Sequence, residues 1–178
     1  MATLYTIGHS NRKLQEFVDL LTAYKISKLV DIRTIPKSRY VPWFNKESLA
    51  ASLKKLNIQY QHMPALGGLR SPKADSINLG WHNLSFRAYA DYMQTKEFFS
   101  ALKALNALLS KERVVIMCAE AVPWRCHRSL IADAEIIRHL HVFHIMSENT
   151  VQAHHLTPFA VVNKDRRPMQ IYYPEPKQ

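Results

Sequence analysis

Apolar residues recur along the chain in two alternating spacings. Short runs, most of them apolar, occupy residues 4–7, 29–32, 60–63, 114–118 and 142–146, lengths that are typical of strands. Between these runs, apolar residues recur three or four positions apart, which predicts amphipathic helices. The helices are expected to begin near Asn11 and after Asn45, and to cover residues 85–109, with an interruption near Thr95, and residues 127–139. Strands that alternate with helices predict an α/β fold with a mostly parallel sheet.

We expect one domain over residues 1–178, because single domains usually contain about 100–200 residues. The predicted architecture is a three-layer sandwich, with about five strands in a mostly parallel sheet and helices on both faces. Residues 64–83 are predicted to form a long irregular segment, and residues 158–178 a C-terminal extension with a weaker pattern. Ser10 or Asn11 is expected to cap the first helix, and Asn45 the second.

The composition adds an expectation about partners. Apolar residues make up 47% of the chain and charged residues 21%, values that exclude a largely disordered or fibrous protein. The 24 Lys and Arg residues exceed the 14 Asp and Glu residues, which gives a formal charge of +10. A charge of this sign favours an anionic partner, either a small molecule or nucleic acid.

The first residues lack the basic and apolar pattern of a secretory signal. The longest uncharged apolar run, residues 114–119, is far shorter than the roughly 20 residues that a membrane span needs. We therefore expect a cytoplasmic protein without a membrane partner. Two cysteines are too few for a disulfide framework, so both thiols are expected to be reduced.

Ionisable and small residues follow the predicted strands, at the edge of the sheet where ligands bind in such folds. His9 and Ser10 follow the first strand, and Asp31, Arg33, Pro36 and Ser38 end or follow the second. His62, Gly67 and Gly68 follow the third, and Cys118, Glu120, Arg125, Cys126, His127 and Arg128 follow the fourth. Only four glycines occur, and we expect them where the backbone takes a positive φ or comes close to a ligand. These residues are predicted to meet in one positively lined hollow.

The segment from Cys118 to Arg128 carries the richest chemistry. Cys126 and His127 are expected at the start of a helix, where the positive end of the dipole favours a thiolate or a bound anion. Arg125 and Arg128 can grip an anion, and Glu120 can transfer protons. We assign catalytic roles to Glu120, Cys118, Cys126, His127 and His9, and substrate binding to Ser10, Asp31, Arg33, Pro36, Ser38, His62, Gly67, Gly68, Arg125 and Arg128.

Structural roles are the alternatives for several of these residues. Cysteine is among the most buried residue types, so Cys118 and Cys126 can simply pack in the core. Glu120 with Arg128, and Asp31 with Arg33, can form ion pairs that hold loops in place.

A metal site and a nucleic-acid surface are weaker interpretations. Cys118, Cys126 and His127 lack the close cysteine pair of ordinary zinc sites, and His154 with His155 is predicted to be a surface pair, so we expect no metal and no other cofactor. Residues 33–46 interleave basic and aromatic side chains, which is typical of single-strand binding. The alternative is a loop that packs Trp43 and Phe44 over the sheet edge.

Four blocks of these residues resemble the family named domain of unknown function 488. The blocks are Thr6-Ile-Gly8-His9-Ser10, Asp31-Ile-Arg33-Thr-Ile-Pro36-Lys-Ser38, Tyr60-Gln-His62 followed by Leu66-Gly67-Gly68, and Cys118-Ala-Glu120 with Cys126-His127-Arg128. They occur in order within about residues 3–150. The resemblance implies a small prokaryotic α/β protein and marks these positions as the family's motif residues. It does not imply an activity.

Three functions fit these residues. The leading hypothesis is an enzyme that acts on a phosphorylated, nucleotide-like or nucleic-acid substrate, with Arg33, Arg125 and Arg128 binding the anion. Glu120 would then transfer protons, assisted by His9 or His127. The second is a rhodanese-like or cysteine-phosphatase-like enzyme that uses Cys118, although the six residues between Cys118 and Arg125 are one more than the phosphatase loop has. The third is a nucleic-acid-binding module without catalysis.

Overall fold

The computed structural model describes residues 2–177, and these residues form eight strands and five α-helices. In chain order the elements are β1 (Thr3–Gly8), α1 (Leu14–Ala23), β2 (Lys28–Asp31), α2 (Lys46–Lys54), β3 (Gln59–His62), α3 (Leu84–Tyr92), α4 (Lys96–Leu108), β4 (Val114–Cys118), α5 (Arg128–Ile136), β5 (His141–Ser147), β6 (Thr150–Ala153), β7 (Val161–Asn163) and β8 (Gln170–Tyr172). Single 3-10 turns occur at Pro42–Phe44, Pro64–Leu66 and Pro123–Arg125.

Six strands form one sheet in the order β3-β2-β4-β1-β5-β6. The first five are mutually parallel, and β6 pairs antiparallel with β5 at one edge. This confirms the predicted α/β fold with a mostly parallel sheet. The strand beyond the expected five is β6, whose four residues are all exposed and therefore lack the apolar pattern on which strand prediction depends.

The two faces of the sheet are covered by different helices, as a three-layer sandwich requires. Tyr5, Ile7 and Val115 pack with α1 and α2 on one face. Leu4 and Ile116 pack with α3, α4 and α5 on the other. Because successive strand residues point to opposite faces, each central strand contributes to both cores. Continuous burial of β4 follows from this double covering.

Helix starts show where local and tertiary hydrogen bonds compete. The predicted interruption near Thr95 is confirmed, since Thr95 Oγ1 accepts a hydrogen bond from Phe98 N (3.2 Å) and begins α4. The predicted Ser10 or Asn11 cap is wrong, because α1 begins after Lys13 with no side-chain cap. Asn45 does precede α2, but its Oδ1 accepts from Ser38 N (2.7 Å) and so braces the preceding loop instead.

The C-terminal segment packs against the domain. Strands β7 and β8 pair antiparallel, and Ile171 and Tyr173 are buried in the same core as α5. The Tyr173 hydroxyl donates to Asp133 Oδ2 (2.7 Å). The segment therefore fixes a buried carboxylate of α5. Among residues 2–177, no helix is long and apolar enough to cross a membrane.

Glu135 on α5 is expected to make folding stability depend on pH. Its side chain is fully buried, and neither carboxylate oxygen has a hydrogen-bond partner within residues 2–177. Burial raises the pKa of Glu135 from 4.5 to about 7, and the nearby Asn106 side chain and the charge of Arg138 offset only part of this. Between these pH values the native state binds a proton that the unfolded chain does not. The free energy of unfolding therefore falls as pH rises from about 4.5 to 7.

Replacing Glu135 with Gln should remove this slope and stabilise the protein at pH 8 by about 2–3 kcal/mol, with little change at pH 4.5. Urea denaturation at both pH values measures the effect. The control is Glu148→Gln, which changes an exposed carboxylate in the turn between β5 and β6. Parallel pH profiles for wild type and Glu135→Gln would contradict the assignment.

Candidate active site

The carboxyl ends of the two central strands meet side by side and hold their following loops together. Gly8 at the end of β1 lies opposite Cys118 at the end of β4. Beyond them, His9 N donates to Cys118 O (3.0 Å) and Ser10 N to Ala119 O (2.9 Å). A cleft of about 510 Å³ opens here, and its lining includes nine predicted site residues: His9, Arg33, Ser38, Gly68, Cys118, Glu120, Arg125, Cys126 and His127.

The glycines of the site permit close packing of protein groups. A Cβ atom on Gly8 would lie 1.6 Å from the backbone oxygen of Glu120, and one on Gly68 would lie 2.7 Å from His127 Nδ1. On Gly67 it would lie 2.3 Å from Thr34 Oγ1. No glycine has a positive φ within residues 2–177, so that part of the expectation is wrong. The left-handed residue at the site is Ser10 (φ 48°), a conformation that costs a non-glycine residue about 1–3 kcal/mol.

Two free thiols meet at the bottom of the cleft. Cys118 and Cys126 have only 2% and 4% of their surface exposed, and their sulfur atoms lie 2.6 Å apart. Cys126 lies between the 3-10 turn Pro123–Arg125 and the start of α5 at Arg128. This position brings its side chain next to the end of β4. The N–H of Arg128 also points at Cys126 Sγ (3.4 Å).

Arg128 is fully buried beneath the loop that follows β4. Its Nη1 donates to Cys118 Sγ (2.7 Å) and to the backbone oxygen of Glu120 (2.6 Å), and its Nη2 donates to Ala121 O (3.1 Å). This guanidinium group makes no contact with a carboxylate within residues 2–177. The sequence predicts that Arg128 binds a substrate anion or, as the structural alternative, pairs with the Glu120 carboxylate. Its full burial and its hydrogen bonds to backbone oxygens match neither role. The Cys118 sulfur is instead the group that can carry a compensating charge.

The environment makes the two thiols unequal. Burial by itself would raise the pKa of Cys118. The hydrogen bond that the Cys126 thiol donates to Cys118 and the charge of Arg128 outweigh this effect, and they lower the pKa from 9 to about 7. Burial and the neighbouring Cys118 raise the pKa of Cys126 well above its ordinary value. Near neutral pH a substantial fraction of the molecules therefore holds a Cys118 thiolate that accepts a hydrogen bond from a Cys126 thiol.

Two neutral histidines line the cleft together with the thiols. His127 Nε2 lies 3.2 Å from Ile32 O, so this nitrogen carries the proton and Nδ1 has a free lone pair, 3.6 Å from Cys126 Sγ. His9 Nδ1 donates to Ser10 O (2.7 Å), while its Nε2 accepts from Arg33 Nη1 (3.3 Å). Burial lowers the pKa of each ring to about 4, so both are uncharged near pH 7.

Asp31 and Arg33 form the ion pair that was the structural alternative for them. Arg33 Nε and Nη2 donate to the two carboxylate oxygens of Asp31 (2.9 and 2.6 Å), and Nη2 also donates to Phe44 O. His62 Nε2 donates to Arg33 O (2.7 Å), which fixes the same turn. Arg33 thereby holds the cleft wall and orients His9, with one guanidinium nitrogen facing the site.

The remaining predicted binding residues shape the loops. Ser38 Oγ accepts from Tyr40 N and Val41 N, and Pro36 O accepts from Lys46 N. Glu120 and Arg125, together with Lys37, are exposed around the cleft. The side-chain charges that a substrate would meet first are therefore two cations and one carboxylate.

A buried hydrogen-bond chain extends from Arg128 to Asp133, and sequence reasoning missed it. Arg128 Nε donates to Thr6 Oγ1 (3.2 Å), whose hydroxyl donates to His144 Nδ1 (2.6 Å). His144 Nε2 donates to His154 Nδ1 (2.9 Å), and His154 Nε2 to Asp133 Oδ1 (2.7 Å). Burial lowers the pKa of His144 to about 3, so its ring is neutral. The prediction that His154 lies on the surface is wrong, since its side chain is 8% exposed.

The structure bears on the two weaker interpretations as well. Within residues 2–177, no three His, Cys, Asp or Glu side chains cluster in a way that would hold a metal ion. In the segment of residues 33–46, Phe44 is fully buried and stacks on His9, and Trp43 Nε1 donates to Arg12 O (2.9 Å). These two rings therefore pack as the structural alternative expected, while Tyr40 is 92% exposed.

Comparison with known proteins gives one match. The family model described as "Domain of unknown function DUF488" matches residues 13–135, more than half of the chain. No curated protein and no solved structure matches. The matched segment contains both cysteines, Arg33 and Arg128, and it begins after Gly8, His9 and Ser10.

Replacing Arg128 with Gln should raise the pKa of Cys118, because it removes the cation that lies 2.7 Å from the sulfur. The pH midpoint of Cys118 alkylation, followed by peptide mass spectrometry, is expected to rise by about one unit or more. Arg128→Lys should give an intermediate value. Arg39→Gln, which removes an exposed charge outside the cleft lining, should leave the midpoint in place. An unchanged midpoint in folded Arg128→Gln would show that Arg128 only holds the loop.

Proposed function

The chain belongs to the DUF488 family, and from the geometry of its site we propose that it is an enzyme whose Cys118 thiolate attacks an anionic substrate in the cleft. The observation that carries this proposal is the 2.7 Å contact between Cys118 Sγ and Arg128 Nη1. A buried guanidinium without a carboxylate partner is costly unless another anion compensates it. A thiolate supplies that anion, and a thiolate is the nucleophilic form of cysteine.

A purely structural role for Cys118 explains these contacts less well. A packing cysteine behaves as a small apolar group and gains little from a buried cation. Cys118 instead accepts from Arg128 and from Cys126, and although it is nearly buried it contributes to the cleft lining. Both donors favour the charged form of the sulfur.

The charges around the cleft support an anionic substrate. Lys37 and Arg125 are exposed in its lining, and the whole chain carries a formal charge of +10. A cleft of about 510 Å³ suits a small molecule, and phosphorylated and nucleotide-like compounds are included in this class. Glu120 is also exposed in the lining, which supports a role in exchanging protons with the leaving group.

Attack on sulfur fits the site better than attack on phosphorus. Phosphoryl transfer needs cationic donors around three equatorial oxygens of the transferred group. Arg128, the arginine in contact with the nucleophile, instead donates to the backbone oxygens of Glu120 and Ala121. Rhodanese-like chemistry at Cys118 needs only the thiolate and an anion-binding entrance. Both cysteines stay reduced in a compartment such as the cytoplasm, where we expect the protein to act.

Two alkylating reagents test the thiolate and the anion site together. Iodoacetate is anionic and iodoacetamide is neutral, so the ratio of their rates at Cys118 reports the local potential. Lys37→Ala/Arg125→Ala should lower this ratio about tenfold, and Glu120→Gln should raise it. Lys54→Ala/Lys111→Ala is the matched control, because both lysines precede strands and lie away from the cleft. A Cys118 that reacts no faster than an unfolded-chain cysteine would contradict the proposal.

Turnover separates the two substrate classes. With dithiothreitol as the sulfur acceptor, transfer of sulfur from thiosulfate should exceed hydrolysis of p-nitrophenyl phosphate. Cys118→Ser should reduce this transfer by about a hundredfold or more with an unchanged circular dichroism spectrum. A faster phosphate-ester hydrolysis that Cys118→Ser abolishes would place the enzyme among phosphoryl-transfer enzymes. Activity that survives Cys118→Ser would overturn the role of the thiolate.

A further inference from the structure

The second thiol in the cleft defines the substrate class more closely. We propose that Cys126 resolves a sulfur adduct on Cys118, so that the enzyme reduces small anionic compounds that contain a sulfur–sulfur bond and passes through a Cys118–Cys126 disulfide. This inference rests on the proposed function, because it assigns the second step to a reaction that the Cys118 thiolate begins. Its carrying observation is the 2.6 Å separation of the two free sulfurs beside Arg128 and His127.

The backbone already holds the two cysteines in reach of each other. A disulfide bond measures about 2.05 Å, so a small side-chain adjustment closes the remaining gap. The connecting loop is fixed by hydrogen bonds from Arg125 N to Val122 O (3.2 Å) and from Cys126 N to Pro123 O (3.1 Å). Arg128 ties the other side of the same loop to Cys118. The pair can therefore be joined and separated without rearranging the sheet or α5.

The two sulfurs have distinct roles because their neighbours differ. Cys118 accepts hydrogen bonds from Arg128 Nη1 and Cys126, which stabilises it as the thiolate that attacks first. Cys126 keeps its proton as long as Cys118 is negatively charged, because two adjacent anions would repel each other. When Cys118 becomes part of an adduct, this repulsion disappears and Cys126 can ionise.

The proton acceptor for Cys126 is next to it. His127 Nδ1 lies 3.6 Å from Cys126 Sγ and has a free lone pair, because Nε2–H is held by Ile32 O. Gly68 packs close to the same ring, since a Cβ atom at this position would lie 2.7 Å from Nδ1. The lowered pKa of His127 makes it a weak base, so we infer that its Nδ1 accepts the Cys126 proton as that thiol attacks, rather than beforehand.

The reaction balances in two exchanges. In the first, the Cys118 thiolate attacks one sulfur of R–S–S–R′, forms Cys118–S–S–R and releases R′S⁻. In the second, His127 takes the proton of Cys126 as its sulfur attacks Cys118 Sγ and releases RS⁻. The substrate is reduced by two electrons and the two cysteines are oxidised to a disulfide. A separate dithiol reductant must then restore both thiols.

The test uses the intact chain and the dianionic disulfide 5,5′-dithiobis(2-nitrobenzoate), whose released thiolate is coloured. Wild type should release both thiolates of one reagent molecule and end with a Cys118–Cys126 disulfide in the peptide map. Cys126→Ser should release only the first thiolate and keep the other half of the reagent bound to Cys118 as a mixed disulfide. Cys126→Ala should behave in the same way. Cys118→Ser should react far more slowly. Cystamine, a cationic disulfide, should react more slowly than oxidised glutathione.

The role of His127 has its own readout. His127→Asn should slow the second release about tenfold or more relative to the first at pH 7, with the difference disappearing at a pH where Cys126 ionises by itself. A merely structural role would slow both releases alike, which would overturn the assignment of the base.

The possible failures are distinguishable. A wild-type protein that reacts quickly at Cys118 but stops at a stable mixed disulfide would overturn the resolving role and leave the proposed function standing. A Cys118 that fails to react with both the disulfide and iodoacetate would overturn the two proposals together. Equal release by wild type and folded Cys126→Ser would likewise exclude Cys126 from the reaction.

Discussion

The buried guanidinium of Arg128 organises the end of the sheet. It holds the loop after β4 by its backbone oxygens and holds Cys118 by its sulfur, and no carboxylate within residues 2–177 shares its charge. Desolvation makes such a cation costly unless every donor is paired and an anion is near. The loop must therefore come close to β1, which is why Gly8 has no room for a side chain. Arg128 thus contributes both to the lowered pKa of Cys118 and to the path of the loop.

The same arginine links the site to the far side of the domain. Through Thr6, His144 and His154, its hydrogen bonds continue to Asp133, whose carboxylate also accepts from the Tyr173 hydroxyl. Every ring in this chain is oriented by a donor on one side and an acceptor on the other. The C-terminal segment beyond the family match thereby helps to fix the position of the guanidinium.

Much of the fold and part of the site could be predicted from the chain alone. The apolar runs placed β1, β2 and β4 because their residues are buried on both faces, and the interruption near Thr95 was visible because a local side chain caps α4. By contrast, β6 escaped prediction because all four of its residues are exposed, and Asn45 accepts from Ser38 N, seven positions back, instead of capping α2. The rule that ligands lie at the carboxyl ends of parallel strands led to the cleft.

The sequence by itself determined which residues stand at that edge, because strand ends and their following residues are local properties of the chain. Only the tertiary structure decided which of them face the cleft. Arg125 and Arg128 are three positions apart, yet one is exposed at the cleft and the other is fully buried against Thr6, 122 positions away. His154 was likewise drawn inside by Asp133. Burial and hydrogen-bond partners arise from packing between distant segments, and no local pattern encodes them.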